Sequence, residues 1–197
     1  MKEINKLFYK ILIFIFIYSS ANSEINILKI GNPEAKITIK VFSSLTCPHC
    51  ANFHQNIFEN LKTDYIDKDI VKFEHYGFPL DLAAFNAELI VRCHSNNDKG
   101  FQLLGDIYKK QKKWAVGSDI NIINESLKKI GLKSGLNKRK MDDCLKNEDA
   151  QQNILNERIQ AQKQYKIQST PTIYINKKKY EGKHEYKVFK KAIEKLL

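Results

Sequence analysis

Arginine is scarce in this chain. Of its 33 basic side chains only Arg92, Arg139 and Arg158 are arginine and 30 are lysine, set against 22 acidic residues for a formal charge of +11. Nucleic-acid sites draw on the planar, bidentate guanidinium, so a lysine-dominated excess spread along the chain speaks against a dedicated nucleic-acid surface and for a solubilising role. Proline (4) and glycine (8) are also few, and no repeat or low-complexity linker occurs, which excludes collagen-like, mucin-like and disordered classes. Four cysteines are too few for a disulfide-dense scaffold, and 197 residues do not need one: the length suits one domain, with room for a second small one, around its own core. Long apolar runs are missing too. The longest uninterrupted one, Ile11 to Tyr18, has eight residues, well short of the roughly 20 that span a bilayer.

That run sits where it sets the compartment. Lys2, Lys6 and Lys10 precede it and Ser19-Ser20-Ala21-Asn22-Ser23 follow, the order of a charged n-region, an apolar h-region and a small-residue cleavage site. Ala21 and Ser23 stand two apart, so residues 1–23 are expected to be a signal peptide, with an uncleaved anchor as the alternative. No cysteine near the site indicates a lipid-modified terminus. Export to the periplasm changes how the cysteines read, because a disulfide persists there and is rare in reducing cytosol.

Downstream, Ile25 to Ile30 reads as a short strand ended by Gly31-Asn32-Pro33, and the β-branched run Lys36 to Phe42 reads as a central strand. Cys47-Pro48-His49-Cys50 follows at once, and Phe53, Ile57 and Leu61 then recur every four residues, placing a helix after the cysteines with Pro48 in its first turn. Ile70 to Tyr76 supplies a third strand, closed by Gly77-Phe78-Pro79. From Asp81, a candidate N-cap, the pattern turns helical to about residue 165: Leu82, Phe85, Leu89 and Cys93 share one side, Phe101, Leu104, Ile107 and Tyr108 another element, Ile123, Leu127 and Ile130 a third closed by Gly131, and Ile154, Leu155, Arg158 and Ile159 a fourth. Trp114, Phe101 and Tyr108 read as core of this block, not as a ligand platform. A last strand over Thr172 to Ile175, a lysine turn at 177–179 and a helix carrying Tyr186, Phe189, Ile193 and Leu196 complete an α/β sheet interrupted by a helical block.

The chemistry concentrates at Cys47 and Cys50. Zinc wants four Cys or His ligands in close pairs, and Cys93 and Cys144 are isolated, so no metal is expected. A CxxC at a strand end and helix start instead offers the first sulfur free backbone amides and the positive end of the helix dipole, which makes thiolate easier to form. His49 is expected to place an imidazole beside Cys47 and stabilise the thiolate further, making it a better leaving group and the oxidised pair a disulfide donor. Cys47 is then the attacked sulfur and Cys50 the resolving one. An inert Cys47 to Cys50 disulfide is the bland alternative.

The CPHC motif, Phe42 and Ser43 before it, Phe53 after it and the late Ser169-Thr170-Pro171-Thr172 together resemble the DsbA family of exported thiol:disulfide oxidoreductases. The resemblance implies a thioredoxin-like fold with an inserted all-helical domain: residues 24–80 and 166–197 form the thioredoxin-like part and 81–165 the insertion. It implies catalytic roles for Cys47, Cys50, His49 and Pro48, a cis peptide bond before Pro171, and a substrate groove near Phe78, Thr170 and Pro171. No cofactor is implied. Reduced, unfolded exported polypeptides are the implied clients, a quinone-linked DsbB-like membrane protein the implied reoxidant, and a monomer the expected state. A reductase or isomerase is the nearest alternative, and a noncatalytic envelope-associated binding protein the alternative of another class.

Many members carry a buried acid six positions before the first cysteine, where this chain has Val41, with Glu74 on the adjacent strand as a candidate replacement. Cys93 and Cys144 fit a structural bond, two buried thiols or a regulatory pair. Some DsbA-like proteins hold a similar second disulfide, and a loop of about 50 residues so closed is stabilised by around 4 kcal/mol at most.

Overall fold

The computed structural model describes residues 27–197, so the expected signal peptide and the first residues of the expected Ile25 strand lie outside the described residues. Five strands form one sheet: β1 (Leu28–Ile30), β2 (Ile37–Ser43), β3 (Val71–Gly77), β4 (Thr172–Ile175) and β5 (Lys178–Lys179). Their spatial order is β1-β3-β2-β4-β5, with β2 and β3 parallel and the other pairs antiparallel. The lysine turn is therefore one residue tighter than expected, because Lys178 and Lys179 pair with Tyr174 and Ile175.

Alternation along the strands divides the core. Ile37, Ile39 and Val41 of β2, Val71 and Phe73 of β3, and Ile173 and Ile175 of β4 face one side and join the main core. Phe42 faces the other side, where it packs with Phe78, Ala161, Ile167 and the rings of Tyr76, Tyr165 and Tyr174.

The β2–β3 crossover is the helical segment over residues 48–66, called α1 here. Its apolar residues recur at a strict four-residue spacing, which drifts around a helix of about 3.6 residues per turn. Two π turns, at His54–Phe58 and Lys62–Ile66, unwind that drift and keep Phe53, Ile57, Leu61 and Tyr65 all buried against the sheet.

Between β3 and β4 run α2 (Leu82–Val91), α3 (Asn97–Lys109), α4 (Gln111–Trp114), α5 (Ile120–Lys133), α6 (Lys138–Lys146) and α7 (Glu148–Tyr165), and α8 (Tyr186–Glu194) ends the chain. Asp81, Asn96, Asp119, Asn137 and Asn147 each cap a helix by accepting a backbone N–H. Several expected faces are rotated. Leu82 is exposed, while Leu89 and Cys93 of the expected face are buried and α2 adds Ala84, Ala87, Glu88, Ile90 and Val91 to them. Leu155 and Ile159 of α7 are likewise exposed, because Ile154, Glu157 and Ala161 turn inward. Gly131 does not close α5: it lies inside the helix where Met141 packs against it, and the helix ends at Ser134 before Gly135 with φ +89°.

Cys93, just past α2, is bonded to Cys144 of α6, with Cα atoms 6.0 Å apart and a sequence separation of 51. Replacing both by serine is expected to lower the unfolding free energy by up to about 4 kcal/mol, the chain entropy of such a loop, while the Cys47 and Cys50 thiols keep their reactivity. Denaturant melts of the double variant with thiol counting check this; an unchanged melt would show that the bond does not hold the helical block together.

Candidate active site

Strand β2 ends at Ser43, and the next four residues turn the chain into α1 with Cys47 at its N-cap and Pro48 in its first turn. Pro48 suits that place because its missing N–H is one the helix start leaves unpaired anyway. The Cys47 N–H donates to the Ser44 carbonyl at 3.1 Å, and the Cys47 carbonyl accepts from the amides of Cys50 and Ala51 at 3.1 Å each. From the helical block, the buried Gln111 side chain donates to the carbonyls of Leu45 (2.8 Å) and Cys47 (3.0 Å). Thr46 donates to Asp81 at 2.7 Å, and Asp81 also caps α2. The reactive loop is thus clamped to the elements on both sides of it.

The Thr170-Pro171 peptide bond is cis. The Thr170 carbonyl lies 3.3 Å from the Cys47 sulfur, which donates to it when protonated. The Thr170 hydroxyl is buried beside the same sulfur.

The two cysteines are free thiols in unlike surroundings. Cys47 is 8% exposed and Cys50 1%. The Cys47 thiol is lowered from 9.0 to about 5, chiefly by the hydrogen bond from Cys50, against the upward pull of burial, with help from Thr170 and the backbone amides of Cys50 and His49. Burial drives Cys50 the other way, well above 9.0, and the bond to Cys47 and its charge add to the effect. Such a pair can pass a disulfide between sulfurs: Cys47 is the less buried sulfur and a stable thiolate, and Cys50 is a protonated thiol held behind it.

Three expectations change. His49 acts on Cys47 through its backbone amide, because its side chain is turned to the exposed face of α1. Phe78 does not line a groove beside Thr170 and Pro171. It is 3% exposed, its N–H donates to the Ser43 carbonyl at 2.8 Å, and the Arg158 guanidinium lies 5.2 Å over its ring. Glu74 cannot stand in for an acid at Val41, because strand alternation puts it on the opposite sheet face from Cys50, where it takes a hydrogen bond from Tyr76 at 3.0 Å and faces Lys40 and Lys72 at 3.7 Å each. Gln111 and Asp81 are the loop's supports, and only the capping position of Asp81 carries a local sequence signal. Among the described residues no group of three or more His, Cys, Asp or Glu side chains forms a ligand set.

The linkage has a definite sign. A thiol depressed from 9.0 to about 5 stabilises the reduced fold fully above 9.0, and that contribution is lost as pH falls through about 5. The thiolate absorbance of the reduced protein is therefore expected to titrate near pH 5 with one thiolate per molecule, while Cys50 stays protonated. A midpoint near 9.0 would contradict the geometry.

Comparisons with known proteins agree with this arrangement. A family model described as thioredoxin matches residues 23–195. A Rickettsia bellii protein provisionally named a protein-disulfide oxidoreductase is 30% identical over 152 residues, covering 77% of this chain and 57% of that protein. The chain thus spans a little over half the length of such rickettsial relatives. Disulfide bond formation protein D of Bacillus subtilis is 28% identical over 180 residues, covering 85% of this chain and 76% of that protein. Among solved structures, alpha-DsbA1 of Wolbachia pipientis superposes with a TM-score of 0.80 at 27% identity, covering 87% of this chain and 90% of that one. The chain belongs to the thioredoxin family, and its likeness runs to the DsbA-type members.

Proposed function

We propose that this chain is a DsbA-type thiol:disulfide oxidoreductase that donates the Cys47–Cys50 disulfide to reduced, unfolded exported polypeptides. The observation that carries the reading is the placement of the two free thiols, Cys47 at the helix cap and Cys50 one turn inside and 1% exposed, which lowers Cys47 to about 5 and raises Cys50. At neutral pH a thiolate two pH units beyond its midpoint stabilises the reduced pair by about 3 kcal/mol, which raises the reduction potential by about 60 mV over an unperturbed pair. The oxidised pair is then the one eager to react.

A client thiolate attacks the Cys47 sulfur and Cys50 leaves. A second client thiol attacks the client sulfur of the mixed disulfide, and Cys47 departs as thiolate. The Thr170 backbone beside Pro171 offers an extended client a hydrogen-bonding edge, in place of the groove expected at Phe78. The exposed Leu80, Leu82 and Val116 and a cleft of about 380 Å³ lined by Thr46, Asp81, Leu82 and Ala115 offer it apolar surface with little side-chain selectivity. Export rests on the charged, apolar and small-residue order of the first 23 residues, and reoxidation falls to a quinone-linked DsbB-like membrane protein. No helix among the described residues is long and apolar enough to cross a membrane.

The oxidised protein is expected to convert a two-cysteine peptide to its disulfide. Cys47→Ser should abolish the reaction, and Cys50→Ser should accumulate the mixed disulfide. Mass spectrometry of the quenched mixture follows both. Failure of the oxidised protein to react, with cleavage of peptide disulfides by the reduced one, would replace the oxidase by a reductase.

A further inference from the structure

Cys50 leaves as a thiolate in a place with almost no solvent, and nothing described so far returns its proton. Its surroundings do. Cys50 borders a small cavity with about 10 Å³ open to a water's centre, lined also by Val41, Ser43, His54, His75 and Tyr108, which is room for at most one water. His54 Nε2 has no hydrogen-bond partner, and the Tyr108 hydroxyl faces Ser43.

Behind the cavity runs a continuous polar chain. Ser43 Oγ lies 3.2 Å from His75 Nδ1, and His75 Nε2 lies 3.1 Å from Glu88 Oε2. The other Glu88 oxygen accepts from Arg92 Nε at 2.9 Å, Arg92 Nη2 meets Glu157 at 2.8 Å, and Glu157 accepts the Gly77 N–H. Their side chains are at most 10% exposed.

Charge decides what this chain holds. Two carboxylates face one guanidinium, and a buried charge without a partner costs several kcal/mol, so the cluster is neutral when one further proton sits on it. Burial raises Glu88, but His75 and then Arg92 outweigh it and hold Glu88 at about 2. Burial pushes Glu157 up, with Arg92 opposing. That proton lies in the hydrogen-bonded run from Ser43 through His75 to Glu88, which continues through Arg92 to Glu157. The other groups facing His75 do not compete for it: burial and the charge of His75 bring His54 down to about 3, and burial pushes Tyr108 far up.

We propose that His75 is a positioning residue that holds this one exchangeable proton and, through Ser43 and the cavity, supplies it to Cys50. The step rests on the thiol-exchange reading above. As the client thiolate's electron pair forms the bond to Cys47, the Cys47–Cys50 bond breaks and its pair stays on the Cys50 sulfur. His75 protonates Ser43 as the Ser43 hydroxyl gives its own proton towards Cys50. Two protons come off the client thiols; one refills the cluster and the other enters solvent. Returning the disulfide reverses the path.

The test follows reduction of the oxidised full chain by a two-cysteine peptide across pH, with the Cys47 thiolate titrated in parallel. His75→Gln and Ser43→Ala are each expected to slow the reaction by about 100-fold or more at neutral pH and to give a rate that climbs with acidity, with the Cys47 midpoint unmoved. Val41→Glu, which places a proton carrier in the same cavity, should restore the neutral rate in the His75→Gln protein. Ser43→Ala leaves every charge in place, so it decides the matter if His75→Gln does not fold. A wild-type rate and pH profile in Ser43→Ala would overturn the relay alone; an inert wild-type protein would overturn the exchange reading itself.

Discussion

The structure depends on a difference in depth between two sulfurs three residues apart. Where β2 runs into α1, Cys47 stands at the helix cap beside the amides of His49 and Cys50, and Cys50 lies one turn inside, packed against the sheet. The same backbone turn thus favours charge on one thiol and forbids it on the other. Each raises the contrast in its neighbour, since the Cys50 thiol donates to the Cys47 thiolate and that charge in turn keeps Cys50 protonated. A turn of this kind does not hold its shape alone. Gln111 and Asp81 grip it from the helical block, and Thr170 closes it from the strand that follows.

The helical block is therefore part of the site and not a cover over it. Its α2 and α7 carry Glu88, Arg92 and Glu157, which reach under β3 to His75 and the Gly77 amide. These contacts make the sheet and the block share one buried electrostatic cluster. The Cys93–Cys144 bond ties the end of α2 to α6.

Much of this was legible in the residues. β-branched runs located β2, β3 and β4 to within a residue, because their pattern is local and their ends carry Gly, Pro or Ser. The CPHC spacing and the late Ser-Thr-Pro-Thr named the two loops that meet. What failed depended on pairing across the fold. Phe78 follows a strand whose last residue faces one side and whose next faces the other, so its burial under α7 turns on register. His75 reads as one residue of an alternating strand until Glu88 and Ser43 are set beside it, 13 and 32 residues away. Gln111, 64 residues from Cys47, carries no local mark at all. The four-residue spacing after Cys50 announced a helix but not its π turns, which answer to the shape of the sheet beneath.

The central claim is that the ionisation gap makes the oxidised pair the reactive one. Its most direct test is the equilibrium reduction potential of Cys47/Cys50 in glutathione buffers, with thiol trapping that scores this pair apart from Cys93/Cys144. A value at least about 60 mV above that of reducing thioredoxins, towards the roughly −120 mV of strongly oxidising exported dithiols, is the result predicted here. A value near about −270 mV, that of reducing thioredoxins, would contradict it.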